Sequence, residues 1–235
     1  MKNYQTISEW RANLYGLLSS VYIQIPRQET ITLNLEPALH LLRSSSEGTE
    51  EALQEIERGV GLVKAYASGE DPLSEKSITD LSKDWTRLFR GVGKDGPLPP
   101  YESLYRAERL KKRPVQEINR LFSKMGVRVP EEWHQPPDYI GVELDFMRLF
   151  CRRELKAWEK EEMGSVLEVI ETERSFLENH LGLWIFDFCE KMLAQAREDF
   201  YRGVARLTSG LVKHDRIWLL RLFNLIHHTT VDNPN

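Results

Sequence analysis

The sequence predicts an all-α protein, a globular bundle of about nine to eleven helices. Apolar residues recur at three- and four-residue steps along most of the chain. No stretch alternates apolar and polar residues for long enough to propose a sheet. With 235 residues, 41% of them hydrophobic and 29% charged, the chain can bury a sizeable core and lacks the composition of disorder.

Ile7, Trp10, Leu14, Leu17, Leu18 and Val21 form the first stripe, which ends before Pro26. A shorter helix is expected from Pro37 to Arg43, followed by a linker over Ser44 to Gly48. Leu53, Ile56, Val60, Val63 and Ala67 repeat the pattern and stop at Ser68 and Gly69. Ser77 and Asp80 have capping-box spacing and should open the helix that carries Leu81, Trp85, Leu88 and Phe89. Three glycines and three prolines between Gly91 and Pro100 exclude a helix there. Periodicity resumes at Leu104, then at Ile118, Leu121 and Phe122. A second break, Gly126 to Asp138, holds three prolines.

Asp138 is the expected N-cap of a helix carrying Ile140, Leu144, Met147, Cys151, Leu155 and Trp158. Leu167, Ile170, Arg174 and Leu177 start another. Ile185, Phe188, Met192, Ala196, Phe200, Val204 and Leu207 read as the longest single stripe. Ile217, Leu220, Phe223 and Ile226 close the chain. Two parts, residues 1–130 and 131–235, are expected around a hinge at 126–138, although the stripes on both sides could share one core.

Thirty-two basic against 36 acidic side chains give a net charge of −4, which argues against a general nucleic-acid binder. Cys151 and Cys189 lack CxxC spacing and suit thiols in a reducing compartment. Residues Met1 to Thr6 lack the basic-then-apolar pattern of a cleaved signal. No run reaches the roughly 18 apolar residues of a membrane span. A cytoplasmic protein without stable membrane insertion is expected.

Motifs for chemistry are sparse. Gly91-Val-Gly93-Lys-Asp-Gly96 matches GxGxxG by letter, but a helical stripe precedes it and Pro97-Leu-Pro-Pro100 follows. A dinucleotide fingerprint needs a strand before and a helix after. These glycines read instead as a helix end and a sharp turn, and Lys94 belongs to no phosphate-binding loop. None of the histidines at 40, 134, 180, 214, 227 and 228 forms HExxH or another i, i+4 ligand pair. No GxSxG elbow is present. The reading is a protein without catalysis, metal or cofactor.

The two breaks are more informative. Phe89, Leu98, Tyr101 and Tyr105 flank a proline-rich loop that loses little entropy on ordering, so they can form a rigid aromatic lip or pin the loop on the core. Glu131, Glu132, Asp138, Glu143 and Asp145 are interleaved with Trp133, Pro136, Pro137, Tyr139 and Phe146, with no Lys or Arg between. Such an acidic, aromatic patch would attract a ligand both basic and apolar, whereas the same acids could simply favour a helix N-terminus.

These residues carry a resemblance. Leu88-Phe-Arg-Gly91 followed by Pro97-Leu-Pro-Pro-Tyr-Glu-Ser-Leu-Tyr105 resembles a signature of the TorD/DmsD/NarJ family of redox-enzyme maturation chaperones. Pro136-Pro-Asp-Tyr-Ile-Gly-Val-Glu-Leu-Asp-Phe-Met147 resembles a second. Phe176-Leu-Glu-Asn-His-Leu181 with Trp184 and Phe188, and Phe200-Tyr-Arg-Gly-Val-Ala205, are softer matches. The resemblance implies a helical cytoplasmic chaperone, not an enzyme. Its partners would be the twin-arginine signal peptide and the apo catalytic subunit of a molybdopterin oxidoreductase, held until the cofactor is inserted. The peptide site is expected at Trp85, Phe89, Leu98, Pro99, Tyr101, Glu102, Tyr105, Pro137, Asp138, Tyr139, Glu143 and Asp145. Glu143 and Asp145 would meet the arginines and the aromatic lip the apolar stretch.

The family often has His after Pro-Pro-Asp; Tyr139 stands there instead, which removes a switch near neutral pH. The alternatives are a NarJ-type assembly factor for a reductase retained at the membrane, and a nucleotide-binding helical switch or enzyme. A monomer or a domain-swapped dimer fits either chaperone reading.

Overall fold

The apolar periodicity becomes ten helices in the computed structural model, which describes residues 2–31, 49–91, 96–106 and 114–231. The helix expected over Pro37 to Arg43, the linker at 44–48 and Lys94 lie outside the described residues. In chain order the helices are α1 (Lys2–Ile23), α2 (Gln28–Ile31), α3 (Glu50–Ala67), α4 (Glu75–Phe89) and α5 (Glu102–Arg106). They continue with α6 (Pro114–Lys124), α7 (Ile140–Glu159), α8 (Met163–Asn179), α9 (Ile185–Gln195) and α10 (Asp199–Val231). Short 3₁₀ turns sit at Glu131–Trp133 and Leu181–Leu183. Among the described residues the fold is all-α, with one isolated bridge between Tyr101 and Tyr139.

Two long helix pairs organise the bundle: α1 lies along α7, and α3 along α10. Small residues permit both. Ser19 Oγ donates to the Gly141 carbonyl at 2.7 Å across the first pair. In the second, a Cβ on Gly203 would sit 2.8 Å from the Gly59 carbonyl oxygen and 2.7 Å from Val63. That close approach is a physical reason for glycine in the Phe200–Ala205 string. One buried apolar cluster runs from Trp10 to Ile226 across the 126–138 segment. Within it Phe146 meets Phe122, Phe150 and Phe176 at centroid distances of 4.9, 4.5 and 4.4 Å.

Several boundaries differ from the sequence reading. The N-cap of α4 is Ser74, not Ser77: its Oγ accepts from the Ser77 backbone N–H at 3.2 Å. Asp80 pairs with Lys83 instead of closing a capping box. The stripe read as continuous from Ile185 to Leu207 breaks after Gln195. There the buried Asp84 carboxylate of α4 accepts from the Arg197 and Glu198 backbone N–H groups at 2.8 and 3.1 Å. At the far end, α10 buries Leu219, Leu222 and Ile226, while Ile217 and Leu220 face solvent.

One polar cluster is wholly buried. Arg11 of α1 donates to Glu154 of α7 at 2.5 Å, to Asp215 of α10 at 2.8 Å, and to Glu173 of α8. Burial pushes the Glu173 carboxyl up to about 8 despite the opposing pull of Arg11. Burial acts against ionised Asp215 too, but Arg11 and His214 hold it below the usual carboxylate range. Thus Glu173 carries the proton at neutral pH, and the guanidinium faces two carboxylates.

Two predictions follow from this packing. Gly203→Ala forces α3 and α10 apart and is expected to destabilise the fold by about 1–3 kcal/mol in denaturant titration. For Glu173, the folded carboxyl titrates above the unfolded one, so its contribution is fully present below about pH 4.5 and is lost as pH rises through about 8. Glu173→Gln, which cannot ionise, should show a shallower fall of thermal midpoint across that window than the parent protein; equal slopes would refute the assignment.

Candidate functional site

The two irregular breaks of the sequence come together as one structure. The Glu102 N–H donates to the Asp138 carbonyl at 2.9 Å, and the Ile140 N–H donates to the Pro100 carbonyl at 3.0 Å. The Tyr101–Tyr139 bridge lies between them, with the rings 5.3 Å apart. Helices α5 and α7 therefore begin side by side. Asp138, the expected cap of α7, instead accepts from the Ser103 N–H at 3.2 Å and caps α5. Five residues form no stable helix alone, so α5 depends on this borrowed cap.

Acidic side chains gather beneath this junction. Glu102 accepts from Arg106 through one oxygen, and its other oxygen lies 3.2 Å from His180 Nδ1. Arg106 also donates to the Asn179 carbonyl at 3.0 Å. Trp184 Nε1 donates to Glu143 at 3.2 Å, while the second Glu143 oxygen has no partner among the described residues. Burial first, then the neighbouring Glu102 and Asp138 charges, push the Glu143 carboxyl well above the usual range. Its charged form is therefore disfavoured where it stands. Residues from both breaks and from the His180–Trp184 turn thus meet in one buried cluster.

The predicted site residues divide sharply. Trp85 and Phe89 lie in the core, not on a lip: Trp85 Nε1 donates to the Val21 carbonyl at 2.9 Å, and Phe89 packs on Tyr22, Phe188 and Tyr201. Glu102, Asp138 and Glu143 are buried beneath the surface. Tyr139 is buried too, its hydroxyl donating to the Tyr22 carbonyl at 2.5 Å. Asp145 is turned to Arg148 on its own helix. The surface that remains is apolar: Leu98 is 50% exposed, and Pro99, Tyr101, Tyr105 and Pro137 are half-buried around it. The Tyr105 hydroxyl donates to the Leu98 carbonyl at 2.9 Å, and its ring packs on Trp184 and Phe188. Gly91, at φ 63°, turns the chain out of α4 with Pro99 against it.

Of the five acids read as a patch, only Glu131 and Glu132 are exposed, and they make no ion pair among the described residues. They precede Gln135, whose side-chain oxygen lies 3.4 Å from the Tyr101 hydroxyl. Sequence reasoning did not place Arg106, His180 and Trp184 in the site. The i, i+4 spacing of Glu102 and Arg106 was the available signal. Among the described residues, no group of three or more His, Cys, Asp or Glu side chains is placed to hold a metal ion. No described helix is long and apolar enough to cross a membrane.

Residues 43–190, which contain both breaks and the His180–Trp184 turn, match the family described as nitrate reductase delta subunit. The chain belongs to the nitrate reductase delta subunit family. The resemblance to TorD-like chaperones is supported over nearly the full length. The chain is 27% identical over 223 residues to a chaperone protein TorD of Vibrio parahaemolyticus, covering 94% of this chain and 99% of that protein. It is 23% identical over 228 residues to one of Vibrio cholerae, covering 97% and 100%. It is 26% identical over 222 residues to one of Photobacterium profundum, covering 94% and 99%. The family match therefore holds the whole junction, and the relatives extend it to α1 and α10.

The buried cluster makes opposite forecasts for its two glutamates. Glu143→Gln removes a charge that burial already disfavours and keeps an oxygen that accepts from Trp184, so stability at neutral pH should change by less than about 1 kcal/mol. Glu102→Gln leaves Arg106 underpaired in a buried site and should cost about 3 kcal/mol. Chemical denaturation of the two variants checks the ranking, and equal losses would contradict it.

Proposed function

We propose that this protein is a redox-enzyme maturation chaperone. It binds the twin-arginine signal peptide of a molybdopterin oxidoreductase, with the apo catalytic subunit attached, in the cytoplasm before export. The observation that carries this reading is the fusion of the two breaks into one apolar rim, Leu98 to Tyr105, beside the unpaired Glu131 and Glu132. A twin-arginine peptide joins two guanidinium groups to a moderately apolar stretch. The apolar stretch lies on Leu98, Pro99, Tyr101, Tyr105 and Pro137. Its burial contributes roughly 25 cal/mol per Å² before ordering costs. The guanidiniums face Glu131 and Glu132, whose charge-assisted contacts give orientation and salt dependence.

The role of the buried acids changes accordingly. Asp138, Glu102 and Glu143 do not meet the peptide; they hold the rim rigid, which lowers the entropy lost on binding. Tyr139 acts likewise through its bond to Tyr22. The TorD chaperones named above, similar over nearly the full length, support a client-holding role without turnover.

Titration calorimetry with a synthetic twin-arginine signal peptide from a reductase encoded beside this chain tests the proposal. A twin-lysine peptide should bind more weakly, and both should weaken with salt. Leu98→Ser should lower affinity about tenfold, equivalent to 1.4 kcal/mol. Glu131→Lys with Glu132→Lys should lower affinity and flatten the salt dependence. No binding of the peptide overturns the signal-peptide reading, and unchanged affinity in the charge-reversed variant overturns its arginine site.

A further inference from the structure

A second surface lies on the opposite side of α9 from the rim. Trp184 and Phe188 face Tyr105, whereas Phe186 turns the other way and lines a groove of about 470 Å³ between α3, α8, α9 and α10. Leu177, Phe186, Ile217 and Leu220 make its apolar part, with Leu220 45% exposed. The groove runs past Phe186 and Lys213 into a hollow of about 260 Å³, since those two residues line both. Ile217 and Leu220 belong to the apolar stripe that closes the chain. Their place on the solvent face of α10 leaves an apolar ridge with nothing from the described residues over it.

The charges around this ridge are unbalanced. Arg174 is matched by Glu171 at 2.8 Å and Glu178 at 3.5 Å, and Lys213 reaches Glu51 at 4.0 Å. Arg216 and Arg221 are exposed and make no ion pair among the described residues. Two uncompensated guanidiniums thus flank an apolar groove on a chain whose net charge is −4. Paired charges need no partner; these two are placed to receive carboxylates on either side of an apolar seam. The floor is too apolar for a small free anion, and a linear ridge on a long helix suits a helix laid against it.

We propose that this groove is a second docking surface, and that its occupant is an acidic amphipathic helix of a partner protein. Its apolar face would lie on Phe186, Ile217 and Leu220, above the buried Leu177, and its carboxylates on Arg216 and Arg221. The surface repels a basic signal peptide, so rim and groove sort their ligands by charge. The inference does not depend on what the rim binds.

Fluorescence anisotropy of the full chain with a labelled helical peptide of about four turns tests it. The probe carries Leu at i, i+3, i+4 and i+7 with Glu on the flanking positions; a second probe has Lys in place of every Glu. The Glu probe should bind at least tenfold more tightly and lose affinity with salt. Arg216→Glu with Arg221→Glu, at exposed positions, should reverse the preference, and Leu220→Ser should weaken both probes. Circular dichroism of each variant confirms folding. Binding of a twin-arginine peptide at the rim should be unchanged by the double reversal. No binding of the Glu probe, equal affinity for the two probes, or Glu-probe binding indifferent to the double reversal overturns the proposal. Self-association in sedimentation that the double reversal abolishes also overturns it, because the occupant would then be a second copy of this chain.

Discussion

A single guanidinium ties four long helices together. Arg11 stands at the centre of the bundle, with one carboxyl group each from α7, α8 and α10 around it. Such a group is poor evidence of net stability, because taking its charges out of water costs much of what their attraction returns. Its value is directional. Apolar side chains tolerate sliding and rotation of one helix on another, whereas three acceptors around a planar fork do so in one arrangement only. Protonation of Glu173 relieves the excess negative charge that would otherwise oppose burial. The register of α1 against the rest of the bundle follows from this geometry.

The same economy recurs where the chain is irregular. Asp84 of α4 holds the turn between α9 and α10, and Asp138 caps α5. Tyr139 is fixed by a carbonyl near the end of α1. In each case a polar group from one segment satisfies the backbone of another, so loops that carry surface chemistry are as firmly placed as the helices. Buried backbone groups need such partners, and proline-rich segments cannot supply them internally. The rim between Leu98 and Tyr105 is rigid for this reason.

Helix content and most helix ends were legible because periodicity and punctuation depend on local sequence. The two breaks were visible through their glycines and prolines, and their joint resemblance to a family pointed to the right group. That they touch was not legible, because the Pro100–Ile140 pairing joins residues 40 positions apart. The acids of the second break looked like a surface patch, since sequence cannot tell a solvated glutamate from one buried against Trp184. A subtler signal was present. Arg11 falls between Ile7 and Leu14 on an apolar stripe, Glu154 between Cys151 and Trp158, and Glu173 between Ile170 and Leu177. Charges on the apolar face of three separate stripes are hard to explain except by mutual burial. Conversely, Ile217 and Leu220 kept helical spacing but lie outside the core, because periodicity identifies a face and not what covers it.

The cap that α5 receives from Asp138 also sets an order in time. During synthesis the Pro97–Arg106 segment leaves the ribosome well before Asp138 and Glu143, and before His180, which completes the cluster around Glu102. Until then five residues of incipient helix have nothing to hold them. The Leu98–Tyr105 rim therefore cannot be held in place until synthesis has passed His180.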